Sequence, residues 1–170
     1  MPMQKVRARY DETPTLSKTL EKLVENEKGE KKRKATEGLM WLLRGLQFTC
    51  KALQNAQANA SQELAEAFSK SYEGTLKAFH NFVVKGIFAV GSFHSQVHAR
   101  PLIYFFVQVA LKACPYRADF FAKLKADPAG GPPASDDHLN EGLNRWLAAL
   151  DGIVTRVQAF YRDGGHDKGF

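Results

Sequence analysis

Few features of this 170-residue sequence point to covalent or metal chemistry. It has two cysteines, Cys50 and Cys114, far apart, with no CxxC pair and no histidine at metal-ligand spacing. That excludes a disulfide framework and a structural zinc site, and it fits a reducing compartment. No apolar run approaches the roughly eighteen residues of a membrane span, and the opening MPMQKVRARYDE has no apolar signal region. Cytoplasmic residence is the resulting expectation. There is no nucleophile elbow, phosphate-cradling glycine loop, HExxH motif or close carboxylate pair, so an enzyme is the weakest reading and no cofactor or metal is expected. No alternating apolar pattern of strand type occurs either.

What the chain does contain is 44% apolar residues, 12 phenylalanines and a net charge of +6. The composition suits a folded protein, and the length suits one domain, residues 1–170, with a single core. The positive balance favours anionic-lipid or phosphate-rich partners without choosing between them. The densest basic run, EKGEKKRK from Glu27 to Lys34, reads as a solvated loop.

Helical spacing recurs along the chain. Thr13-Pro14 reads as a helix start, with Leu16, Leu20, Leu23 and Val24 following at helical intervals. Leu39, Leu42, Leu43, Leu46 and Leu53 predict a helix from Ala35 to Gln57, with Trp41 off its densest stripe. Leu64, Phe68, Tyr72, Leu76, Phe79, Val83 and Ile87 predict a third and longest helix from Ser61 to Phe88. DPAGGPPASDD, Asp127 to Asp137, cannot hold regular structure, because proline removes donors and glycine raises the entropic cost. Beyond it, Leu139 to Tyr161 carries the cleanest amphipathic stripe, and GGHDKGF stops it. Polar groups embedded in apolar helix faces suit an apolar ligand with a polar head.

Four segments make this pattern specific: KVRARYDETP from Lys5, ATEGLMWLLRGLQF (Ala35–Phe48), TLKAFHNFVVKGIF (Thr75–Phe88) and ALKACPYRADFF (Ala110–Phe121). Together they resemble the glycolipid transfer proteins, nearest to fungal members. The resemblance implies an all-α fold, a two-layer helical sandwich around an apolar tunnel, that moves sphingolipids between membranes without ATP or metal. It implies headgroup contacts from Lys5, Trp41 and His80: Trp41 stacks on the first sugar, Lys5 donates to its hydroxyls, and His80 donates to the ceramide amide carbonyl. Phe48, Leu76, Phe88, Leu111 and Phe120 match tunnel-lining positions, and Phe82, Tyr116 and Arg117 match the membrane-docking side. The energetic stake is large, since a chain of roughly 16 carbons left in water costs on the order of 13 kcal/mol. The implied partners are a glycosphingolipid or related sphingolipid and a transient membrane surface, with no nucleic acid, for a monomer. Ceramide-1-phosphate transfer is the alternative, because related carriers put a cation where Trp41 stands; a non-transferring helical interaction module docking through EKKRK is another.

The sequence also departs from the family pattern. Compared with the resemblance, the chain is expected to lack an Asp and an Asn that the family places shortly before the Lys5 position, together with the first helix and half of the second. Val90 to Gln108 has no family equivalent, and excising it would make Phe88 and Leu111 neighbours one turn apart. Kept as helix, it would displace the downstream residues by about 28 Å. A valine codon at its start, a glutamine codon at its end and the aromatic run Tyr104-Phe105-Phe106 fit a translated intron; a genuine insertion is the alternative. The chain as written is accordingly expected to be unable to transfer lipid.

Overall fold

The computed structural model describes residues 1–79 and 113–168. His80, Phe82, Phe88, Leu111, the whole 90–108 segment and the terminal Phe170 lie outside the described residues, so the expectations attached to them rest on sequence. Every regular element among the described residues is an α-helix: α1 (Pro2–Glu12), α2 (Leu20–Asn26), α3 (Lys34–Ala58), α4 (Leu64–Gly74), α5 (Arg117–Lys125) and α6 (Asp136–Asp163). They fall into two compact units, Met1–Gln47 with Ala148–Phe170, and Phe48–Leu147.

In the first unit, α1 is a helix that apolar periodicity does not announce. None of its residues is buried. Arg9 fixes it instead, donating to the Asn26 carbonyl at 2.9 Å and pairing with Glu30 at 2.6 Å. The helix start expected at Thr13-Pro14 is corrected: Thr13 is the C-cap of α1. Its backbone N–H and hydroxyl both donate to the Arg9 carbonyl, at 3.1 and 3.2 Å, and its hydroxyl accepts from Asn26 at 2.8 Å. Proline at 14 then has no N–H with which to continue the ladder. The next helix starts at Leu20, where the Thr19 side chain accepts from the Lys22 N–H at 3.2 Å. Leu16 is left exposed in the intervening turn.

The basic run is mostly solvated, with one exception that organises the unit. Glu27 is only 3% exposed. Its carboxylate accepts from the Ala35 N–H at 3.0 Å, the Thr36 N–H at 2.7 Å and the Thr36 hydroxyl at 2.8 Å. The two N–H groups are orphan donors of the first turn of α3, and a carboxylate there also meets the positive end of the helix dipole. The buried core below joins Val24 of α2, Leu39, Met40 and Leu43 of α3, and Val154, Val157 and Tyr161 of α6. The Tyr161 hydroxyl donates to the Thr36 carbonyl at 2.8 Å, and burial together with the Glu27 charge pushes its pKa well up.

In the second unit, Ala56, Leu64 and Ala67 form a small-residue cluster bordered by Phe68, Cys114, Phe120 and Phe121. The expected single helix from Ser61 to Phe88 is corrected at both described points. Ser61 bonds back to Asn59 through its N–H and hydroxyl, delaying the helix to Leu64. At the other end Gly74 and Thr75 break it, with the Thr75 hydroxyl donating to the Ser71 carbonyl at 2.7 Å and residues 75–76 forming a turn. The proline-glycine loop ends at Ser135, whose hydroxyl accepts from the His138 N–H at 3.2 Å, so α6 begins with Asp136 and Asp137 in its first turn.

Removing the Glu27 carboxylate leaves two buried N–H groups without acceptors, each worth about 1–3 kcal/mol. Glu27→Ala is expected to lower unfolding stability by about 2–4 kcal/mol and Glu27→Gln by about half of that. Urea denaturation followed by circular dichroism measures both, and an alanine variant within about 0.5 kcal/mol of wild type would deny the cap this role.

Candidate functional site

On α3, Glu37, Trp41 and Arg44 stand at i, i+4 and i+7, which puts them on one face over two turns. Lys5 of α1 reaches the same face, its ammonium 2.7 Å from Glu37. Both partners are exposed enough that the pair contributes little stability and can exchange for another hydrogen-bonding group. Trp41 is half-buried, with part of its ring against the core and the Arg44 guanidinium 4.7 Å from its ring centroid. Burial holds the Arg44 pKa below the ordinary guanidinium range, offset by the field of Asp167.

Gly38 explains how Lys5 comes so near. A Cβ there would lie 2.9 Å from the Pro2 carbonyl oxygen and 3.1 Å from the Lys5 Cβ, so α1 crosses α3 with nothing between the backbones. Gly38 and Arg44 are the positions at this face that sequence reasoning missed. A glycine inside a long helix, three residues before a tryptophan, was the available signal.

Sequence reasoning assigned further candidates to the second unit. Phe48 meets Phe68 edge-on, with ring centroids 5.4 Å apart, and Phe120 packs beside the Ala56–Leu64–Ala67 cluster that Phe68 also borders. The described tunnel candidates Phe48 and Phe120 thus both lie against Phe68 or its immediate cluster, while Leu76 is half-buried in the turn after α4. Tyr116 is 76% exposed. Its neighbour Arg117 is half-buried: its guanidinium donates to the carbonyls of Ala56 at 2.7 Å and Gln62 at 3.3 Å and lies over Phe121. Burial raises the Cys114 thiol pKa, which keeps it protonated rather than nucleophilic. Among the described residues, no His, Cys, Asp and Glu group could hold a metal ion, and no helix is long and apolar enough to cross a membrane.

Residues 2–95 match the family model described as Glycolipid transfer protein (GLTP). The chain belongs to the glycolipid transfer protein family. It is similar to the glycolipid transfer protein of Aureobasidium melanogenum, 35% identical over 158 residues that cover 93% of this chain and 65% of that protein. The glycolipid transfer protein of Danio rerio is 35% identical over 159 residues, covering 88% of this chain and 67% of its own length. The crystal structure of HET-C2, a fungal glycolipid transfer protein, superimposes with a TM-score of 0.70 at 35% identity, over 95% of this chain and 68% of that one. The chain therefore has the all-helical glycolipid transfer protein fold and spans about two thirds of the length of these relatives.

Family membership makes the α1–α3 crossing the part of the site that a single substitution tests most directly. Gly38→Ala gains up to about 1 kcal/mol of helix propensity but must push back the α1 backbone, a strain of about 1–3 kcal/mol. A net loss of stability is expected, together with a changed Trp41 environment as α1 and Lys5 shift. Urea denaturation and tryptophan emission of a Trp146→Phe background report the two effects. Unchanged values in both would show that α1 yields without strain.

Proposed function

We propose that the protein, in a full-length spliced form that joins residue 89 to residue 109, handles glycosphingolipids, carrying them between membranes as a cytoplasmic monomer that touches the membrane transiently, with Trp41 as the platform for the first sugar. The observation that carries this reading is the α3 face, where a half-buried indole is flanked by an exchangeable Lys5–Glu37 pair. A fixed aromatic plane selects the C–H face of a sugar, and adjacent exchangeable donors and acceptors satisfy its hydroxyls. No group on that face is a nucleophile or a general base set beside one, so the chemistry it supports is recognition without bond breaking. Tyr116, three quarters exposed at the head of α5, is the described residue best placed to touch a bilayer interface. Arg117 serves by holding the turn that presents it.

Tunnel residues are proposed on the same footing. Phe48, Phe120 and Leu76 would line the apolar path in the second unit, with Phe88 and Leu111, and His80 would meet the ceramide amide below the sugar. That division assigns headgroup choice to Trp41 and ceramide recognition to His80.

In that full-length spliced form, Trp41→Ala is expected to lower transfer of galactosylceramide between vesicles by about tenfold with unchanged helical circular dichroism, the loss of about 1.4 kcal/mol of stacking. His80→Leu is expected to weaken every sphingolipid alike, by about 1–3 kcal/mol, because the amide is common to all of them. Full transfer in the first variant removes Trp41 from the headgroup role, and a loss confined to one head in the second moves His80 to another part of the site.

A further inference from the structure

The indole of Trp41 has two faces, and one of them is already covered. The Arg44 guanidinium carbon lies over the ring, 4.7 Å from its centroid, inside the roughly 6 Å within which an aromatic face holds a cation. Helix geometry dictates the approach. Side chains of an α-helix lean toward its N-terminus, so a residue three positions further along lies over the turn that carries its neighbour. Arg44 therefore comes to Trp41 from the C-terminal side of α3, and the same lean aims Trp41 at the turn of Glu37 and Gly38. At that turn α1 crosses with no side chain between the backbones, and Lys5 meets Glu37 at 2.7 Å. The ring is bracketed along the helix, with a guanidinium on one side, an ammonium–carboxylate pair on the other and core side chains against part of it.

Arginine suits the covered side. Its guanidinium is planar, weakly hydrated and stacks on aromatic faces, whereas an ammonium is a compact, strongly hydrated charge. Arg44 is half-buried, so water screens its attraction to the ring less than on an open surface. An unrestrained indole turns about two side-chain torsions, and a ligand that stacks on it must first stop that motion. A ring already held on one face has lost that freedom before the ligand arrives.

We propose that Arg44 is a positioning residue of the headgroup site: its guanidinium backs one face of the Trp41 ring, fixes the indole, and leaves the face toward Lys5 and Glu37 as the one on which a sugar stacks. A hexose on that face lies between the indole and the Lys5–Glu37 pair, so its C–H surface meets the ring and its hydroxyl edge meets donors and an acceptor. Selectivity follows from the single face. A ring open on both sides would stack a hexose with its hydroxyls turned away from Lys5 as readily as toward it. The use of the open face by a sugar rests on Trp41 being the headgroup platform, but the backing contact does not.

In the full chain carrying Trp146→Phe, Trp41 is the sole indole. Acrylamide quenching and time-resolved anisotropy of its emission measure face exposure and ring motion. Arg44→Met keeps an unbranched stem and removes the cationic plane. It is expected to raise the quenching constant by about twofold, as a second face opens, and to lower the anisotropy that survives the fast phase. Arg44→Lys is expected to fall between Arg44→Met and the parent. Methyl β-galactoside, a soluble probe without a lipid chain, is expected to shift the emission of the parent and to bind Arg44→Met about three- to tenfold more weakly. Helical circular dichroism checks the fold of each protein; if the methionine variant is unfolded, Arg44→Gln is held to the same criteria. Unchanged quenching and anisotropy in the neutral variant overturn the backing contact. Galactoside binding in the neutral variant as tight as in the parent, or tighter, overturns the positioning role, because Arg44 then competes with the sugar for the ring. No galactoside response in the parent, with quenching and anisotropy changing as expected, refutes the sugar platform and leaves the backing contact standing.

Discussion

The first unit depends on one buried carboxylate. Glu27 closes the open end of a helix of about 37 Å, and both backbone donors it meets belong to the first turn. Because Thr36 is held on its N–H and hydroxyl by Glu27 and on its carbonyl by Tyr161, α3 and α6 are tied to the end of α2 at a single residue. Trp41 lies little more than one turn further along α3, so its direction is inherited from that junction. A carboxylate can be buried here because three hydrogen bonds and a helix dipole replace its hydration.

How legible this was depends on what each residue does. α3 was readable almost to its ends, Ala35–Gln57 expected against Lys34–Ala58 found, because one long face of leucines buries against a core and the periodicity is strong. The start of α6 was displaced by about one turn because its N-cap hides inside a loop of prolines and glycines. α1 was invisible because Arg9, Lys5 and the crossing at Gly38 attach it, with Val6 alone reaching the core, rather than an apolar stripe. The overlong third helix has a different cause: Leu76 and Phe79 continue the spacing of α4 through a break imposed locally by Gly74 and the Thr75 hydroxyl. Periodicity reports which face is apolar and says little about whether the backbone is continuous.

The site divides along the same line. Lys5 and Trp41 stood out because the segments that carry them, KVRARYDETP and ATEGLMWLLRGLQF, resemble the glycolipid transfer proteins. Gly38 and Arg44 did not, because one acts by lacking a side chain and the other by lying over a neighbour three residues away. Glu27 was concealed in EKGEKKRK, where charged neighbours disguise the one member that turns inward. Arg117, expected at a docking surface, also donates to the carbonyls of Ala56 and Gln62, contacts that no spacing in the sequence announces.

The bare crossing at Gly38 sets a length standard. Where helices are separated by side chains, drift in the size of those side chains alters the spacing, and functional groups on the two helices move apart or together over evolutionary time. Here main chain abuts main chain, and peptide geometry does not drift. The interval between Lys5 and the Trp41 face is therefore insulated from repacking of the core beneath it. Leucines and valines of the interior can be exchanged for one another while the gauge above them stays fixed.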